Sequence, residues 1–101
     1  MTDRPLTGNE AKSKLNRCLE DGTVVYSKHF REELANDDLT RDDVYAACRC
    51  GVIAMAPEKD IRTGHWKYRI EGTTAERRRL AVVFSFRIEF AVLITVFERT
   101  V

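Results

Sequence analysis

The pattern of apolar and polar residues changes its period halfway along the chain. Up to Cys50 the apolar residues recur every three or four positions, as on one face of a helix. Ala11, Leu15, Cys18 and Leu19 predict an amphipathic helix over residues 8–20. Thr7-Gly-Asn-Glu10 supplies a capping box before it, and Gly22 stops it. Thr23 to Tyr26 reads as a short extended link. Ser27 caps a second helix over about residues 28–36, with Phe30 and Leu34 inward, and Asn36-Asp37-Asp38 breaks it. Thr40 caps a third, whose first turn carries Asp42 and Asp43, where the helix macrodipole favours negative charge. Leu39 and Val44 are placed as a hydrophobic staple. Val44, Ala47 and Cys48 form the buried stripe, and Gly51 ends the helix.

After Gly51 the pattern is that of strands. Val52 to Ala56 is a short apolar run closed by Pro57, and residues 58–64 read as a polar loop. His65-Trp-Lys-Tyr-Arg-Ile-Glu71 alternates strictly, so Trp66, Tyr68 and Ile70 share one face and His65, Lys67, Arg69 and Glu71 the other. Gly72 to Arg79 reads as a turn or hairpin loop. Leu80–Phe86 and Phe90–Phe97 are apolar and β-branched, as in strands at a sheet centre, joined by Arg87-Ile88-Glu89. Sequential strands with short connections pair antiparallel. The expected fold is therefore α+β, with two or three N-terminal helices packed on one face of a three- or four-stranded antiparallel sheet. One domain is expected over 1–101, with 1–22 as a helical extension on a 23–101 core.

With 101 residues, 44% of them hydrophobic, the chain can bury a single core. Its net charge of +1 argues against a protein that simply coats nucleic acid. The charge is uneven, however. Residues 1–50 hold 8 Lys+Arg against 10 Asp+Glu, and residues 51–101 hold 9 against 6, so the basic surplus lies in the strand half. Three cysteines without a secretory signal point to free thiols in a reducing, cytoplasmic setting. No apolar run is long enough for a membrane span.

The polar face of residues 65–71 is the main candidate for chemistry. Metal-independent RNA cleavage needs a base for the 2′-hydroxyl, an acid for the leaving 5′-oxygen, and cations for the pentavalent transition state. Glu71 or a histidine suits the base and His65 the acid, with Lys67 and Arg69 on the phosphate. The alternative is an ordinary solvent-facing strand, which is the default for such alternation. His29 shares a helix face with Glu32 and Glu33, either as a proton carrier or in a weak surface ion pair. Arg77-Arg78-Arg79 could hold a phosphate backbone or simply keep a turn soluble. Thr95 could offer a hydroxyl on the working face or act only as a β-former. Cys48 and Cys50 have no matching Cys/His pair, so no metal site is expected. No nucleotide-cofactor, zinc-protease or hydrolase motif occurs, and no cofactor is expected.

His29, then Leu39-Thr-Arg-Asp-Asp-Val44, Gly51-Val-Ile53, Tyr68-Arg-Ile-Glu-Gly72, Leu80-Ala-Val-Val83 and Ile94-Thr-Val96 recur in an order that resembles the bacterial family known as domain of unknown function 4258. The resemblance covers about residues 26–98. That family looks related to the BrnT and RelE-like toxins, whose relatives often sit beside MqsA-type antitoxins. It implies a toxin-like α+β core and a metal-independent mRNA endoribonuclease held in check by an antitoxin protein. His29, Arg69 and Thr95 match its motif residues, and Lys67 and Tyr68 fall beside the matched arginine. With Arg78, these make the expected RNA-binding set. One departure is Asp37-Asp38, where members often place an arginine, since an acidic pair weakens phosphate binding at that edge. Two other readings stay open. One is a non-catalytic binding module that pairs with an antitoxin or with a second copy through a sheet edge. The other is an inactive toxin relative.

Overall fold

The computed structural model of the protein describes residues 4–99, so the ends of the expected domain, 1–3 and 100–101, lie outside the described residues. Three helices come first, interrupted by one short strand: α1 (Gly8–Asp21), β1 (Val24–Tyr26), α2 (Lys28–Asn36) and α3 (Arg41–Cys50). Four strands follow: β2 (Glu58–Lys59), β3 (Trp66–Thr73), β4 (Arg79–Phe86) and β5 (Ala91–Glu98).

The helix ends obey their local chemistry. Thr7 and Glu10 form a reciprocal capping box on α1, and Gly22 closes it in the left-handed region at φ 74°. Ser27 Oγ caps α2 by accepting from the Phe30 amide at 3.0 Å. Thr40 and Asp43 form a second capping box on α3. Each cap satisfies amides that have no partner within the helix.

The sheet is larger than the pattern predicts. It has five strands in the order β1-β5-β4-β3-β2, and it is mixed. β1, expected as a link, pairs in parallel with β5 from Val24↔Ala91 to Tyr26↔Leu93. β2 pairs antiparallel with β3 inside what reads as a loop. Of the apolar run 52–56, only Val52 reaches the sheet, as an isolated bridge to Glu71. Two- and three-residue strands are too short for any periodicity to announce them.

The helices cover one face of the sheet. Leu15, Phe30, Val44, Cys48, Ile70, Leu80, Val82, Phe84, Leu93 and Val96 are fully enclosed between the two layers. α1 joins that core through Ala11, Leu15 and Leu19. A shift of register between Val83 and Phe84 leaves one extra residue of β5, Ile94, between their partners Thr95 and Leu93, so that Ile94 and Thr95 stand side by side. Such a bulge bends the strand and turns both side chains toward the same face.

The three cysteines are free thiols. Burial pushes the Cys48 thiol up to about 12. Cys50 is exposed, and its sulfur accepts from the Thr73 amide at 3.4 Å, which holds its pKa below the ordinary thiol value. An aromatic disulfide reagent is therefore expected to modify Cys50 first and Cys48 only on unfolding. Mass-mapped labelling against time checks the order, and Cys48 labelled in the folded protein would contradict it.

Candidate functional site

The sheet face without helices carries the polar residues of β3. Lys67, Arg69 and Glu71 alternate onto it. Their cross-strand partners Ser85, Val83 and Ala81 follow on β4, then Val92, Thr95 and Phe97 on β5. A cleft of about 280 Å³ opens there, with Met55, Glu58, Lys67, Arg69, Val83, Ile94 and Thr95 in its wall. Lys67, Arg69 and Thr95, which lie as much as 28 positions apart in the chain, thus meet at one place.

Arg69 is held from two sides. Its guanidinium stacks over the Phe97 ring, 5.0 Å from the centroid. One terminal nitrogen lies 2.9 Å from Glu71 Oε2. Its Nε is buried with no hydrogen-bond partner among the described residues. A cation in this setting, aimed along a groove beside a lysine and a hydroxyl, suits a multi-oxygen anion.

Other expected site residues are not brought to the cleft. Glu71 does not line it, and its Oε2 is shared by Arg69 and, at 3.4 Å, by Arg99, so the carboxylate is an acceptor for two arginines. His29 lies on the exposed surface of α2, 3.8 Å from Glu33, in the weak pair that the helix spacing allows. His65 stands one residue before β3 and lines a separate depression with Phe90 and the 87–89 turn.

Two expected RNA contacts have their side chains engaged elsewhere, although Tyr68 borders the cleft. The alternation that turns Lys67 and Arg69 outward turns Tyr68 inward. Its ring is 4% exposed and packs 5.5 Å from that of Phe84, and its hydroxyl accepts from the Leu6 amide at 2.9 Å. Arg78 is committed to a clasp. It donates from Nε and Nη2 to the two oxygens of Glu98, and to the carbonyls of Asp38 at 3.1 Å and Asp37 at 2.7 Å. The Asp37-Asp38 pair thus ends α2 and, through its backbone, anchors the β3–β4 turn.

The clasp yields a further prediction. The Arg78 guanidinium holds the Glu98 carboxyl below its ordinary value near 4.5. A carboxylate lowered in the folded state contributes stability above its ordinary pKa and loses it as pH falls through the folded value. Arg78→Ala is therefore expected to lower Tm at neutral pH and to flatten the fall of Tm below about pH 4.5. Arg78→Lys is expected not to restore it, since only a fork engages both oxygens. Thermal melts from acid to neutral pH check this, and unchanged curves would refute the clasp.

Glu58 is the residue that sequence reasoning misses. It pairs directly with Lys67 across the two-residue strand β2 and stands in the cleft wall. Nothing in the polar 58–64 stretch distinguishes it from its neighbours. Among the described residues no group of three or more His, Cys, Asp or Glu is arranged to hold a metal ion. No helix among them is long and apolar enough to cross a membrane.

Residues 26–98 match the family model described as Domain of unknown function (DUF4258). No curated protein matches the chain, and no solved structure matches it.

Proposed function

The chain belongs to this family, and from that premise we propose that it is a toxin-like endoribonuclease, acting on mRNA without a metal at the Lys67–Arg69–Thr95 cleft. The observation that supports the reading is the convergence of these three residues with Glu58 on the helix-free face. Arg69 and Lys67 hold the non-bridging oxygens of the scissile phosphate, and the Thr95 hydroxyl donates to the same group. Glu58 takes the 2′-hydroxyl proton as the 2′-oxygen bonds to phosphorus. The bond to the 5′-oxygen breaks, and that oxygen takes a proton from the Lys67 ammonium. The products are a 2′,3′-cyclic phosphate and a 5′-hydroxyl. In this scheme Glu58 takes the place of Glu71 or a histidine as the base, and Lys67 that of His65 as the acid. The same face, in the cytoplasm, is where an antitoxin protein would block the cleft.

The test is induced expression in a bacterial host, with wild type beside Arg69→Ala, following growth and total RNA integrity. Growth arrest with RNA cleavage, both lost in the variant, is the expected result. Arrest that persists in Arg69→Ala would reject the site, and healthy growth with intact RNA would reject the activity.

One observation favours a second reading, a binding module without catalysis. Arg69 is already engaged by Glu71 and Phe97, so it can serve as part of a rigid docking face. Capture of a partner protein by wild type, lost in Arg69→Glu and without any effect on growth, would favour it.

A further inference from the structure

Two turns at one end of the sheet present isoleucines at their tips. Ile61 is 96% exposed and Ile88 is 98% exposed. The first turn is closed by Asp60 and His65, whose amide and carbonyl bond at 2.9 Å. The second is closed between Arg87 and Phe90 at 2.8 Å. Both lie where β3 begins and β4 ends, since Lys67 pairs with Ser85. Turn tips normally carry Gly, Asn, Asp or Ser, for conformational reasons that isoleucine does not satisfy. A single exposed apolar residue is ordinary, but here two stand out at one end of the sheet, and one of them, Ile88, borders an apolar hollow. The hollow is an open depression of about 510 Å³, walled by His65, Ile88 and Phe90 between Arg87 and Glu89.

The charges around the two tips run in opposite order. One reads Asp60-Ile61-Arg62 and the other Arg87-Ile88-Glu89. We propose that this end of the sheet is a self-association surface for a second copy of the chain, related by a two-fold axis. Asp60-Ile61-Arg62 of each copy lies against Arg87-Ile88-Glu89 of the other, with Asp60 facing Arg87, Arg62 facing Glu89, and Ile61 seated in the hollow beside Ile88 and Phe90. A knob and a hollow at one end of the sheet satisfy each other in both directions across a two-fold axis, so the contact closes at two copies.

Local bonds hold the charged groups in place. Asp60 Oδ1 accepts from the Arg62 amide at 2.9 Å, and Arg87 donates to Ser85 Oγ and the Phe86 carbonyl at 3.2 Å. The tips are balanced in charge, which disfavours a polyanion or an anionic membrane as occupant. The sheet edges offer a second copy less, because β1 has three residues and β2 has two. Such a small contact makes a weak, reversible pair.

Sedimentation velocity over a concentration series up to about 1 mM tests this. The weight-average mass is expected to rise from monomer toward dimer. Ile61→Asp and Ile88→Asp are each expected to move the midpoint by about tenfold or more, with Tm unchanged because both side chains are exposed. Arg62→Glu is expected to weaken the pair, and Glu89→Arg in the same chain to restore it. A wild type that stays monomeric, substitutions that leave the midpoint unmoved, or failure of the charge swap to rescue would overturn the proposal. So would binding to lipid vesicles in place of self-association. None of these readouts involves RNA or the cleft.

Discussion

Gly72→Ala is expected to destabilise the protein by about 3 kcal/mol or more, lowering Tm by more than about 12 °C. Gly72 lies in β3 where the last turn of α3 presses on the sheet. A methyl group there would fall within contact distance of the Ala47 carbonyl and 2.9 Å from the Gly51 Cα. Gly51 is crowded in return: a methyl on it would stand 2.7 Å from the Glu71 carbonyl oxygen and 2.9 Å from Ile70. At Gly72 all the crowding atoms are backbone, so no side chain can swing aside. The helix must lift from β3 or the strand must bend, and either movement opens the core around Val44, Cys48 and Ile70. Gly22→Ala is the control. Its φ is 74° but nothing lies within 4 Å, so the effect is about 1–2 kcal/mol from conformation alone. Thermal and urea melts of the two variants side by side check the difference. A Gly72→Ala protein as stable as Gly22→Ala would mean that α3 does not pack on β3 as described.

Lys67→Ala is expected to lower the rate of RNA cleavage by about 100-fold or more while leaving Tm within a few degrees of the wild type. Lys67 lies on the open face, paired with Glu58 and Ser85, and the buried core does not depend on it. On the proposed mechanism its ammonium both neutralises the phosphate and protonates the departing oxygen. The assay is cleavage of an end-labelled RNA oligonucleotide by purified protein in the presence of a chelator, scored for a cyclic phosphate terminus. Glu58→Gln is expected to lose the rate but keep RNA affinity, because the amide cannot accept the hydroxyl proton. Lys67→Ala loses both, and the salt dependence of binding falls by about one counterion. A wild type that binds RNA without cutting it would turn the assignment to the binding module. Full activity in both variants would remove the chemistry from this cleft.

The two experiments probe different aspects of one geometry. The closeness of Gly72 and Gly51 brings α3 down on the inner face of β3. That contact fixes which side of the strand is inner, and so turns Lys67 and Arg69 outward. Gly51 and Gly72 stand in two of the motifs that carry the family resemblance, and their place there has a steric reason.

Much of this was readable along the chain. The capping boxes at Thr7 and Thr40, the αL stop at Gly22 and the inward faces of all three helices depend on neighbours within a turn or so, and local pattern reports them directly. The period of two in residues 65–71 likewise determined that Lys67, Arg69 and Glu71 share a face and that Tyr68 does not. Contacts between distant segments left no such trace. β1 and β2 are strands only because β5 and β3 offer them edges. Thr95 meets Arg69 only because both pair with Val83 on the strand between them, and Ile94 joins them only through the bulge in β5. Arg78 looks like one of three similar arginines until the fold sets the end of α2 and Glu98 around it. Glu58 belongs to the cleft only through its register with Lys67. Side-chain alternation and helix capping are properties of a few consecutive residues, so the sequence by itself determined them. Which distant residues share a cleft depends on strand order and register, and only the tertiary structure decided that.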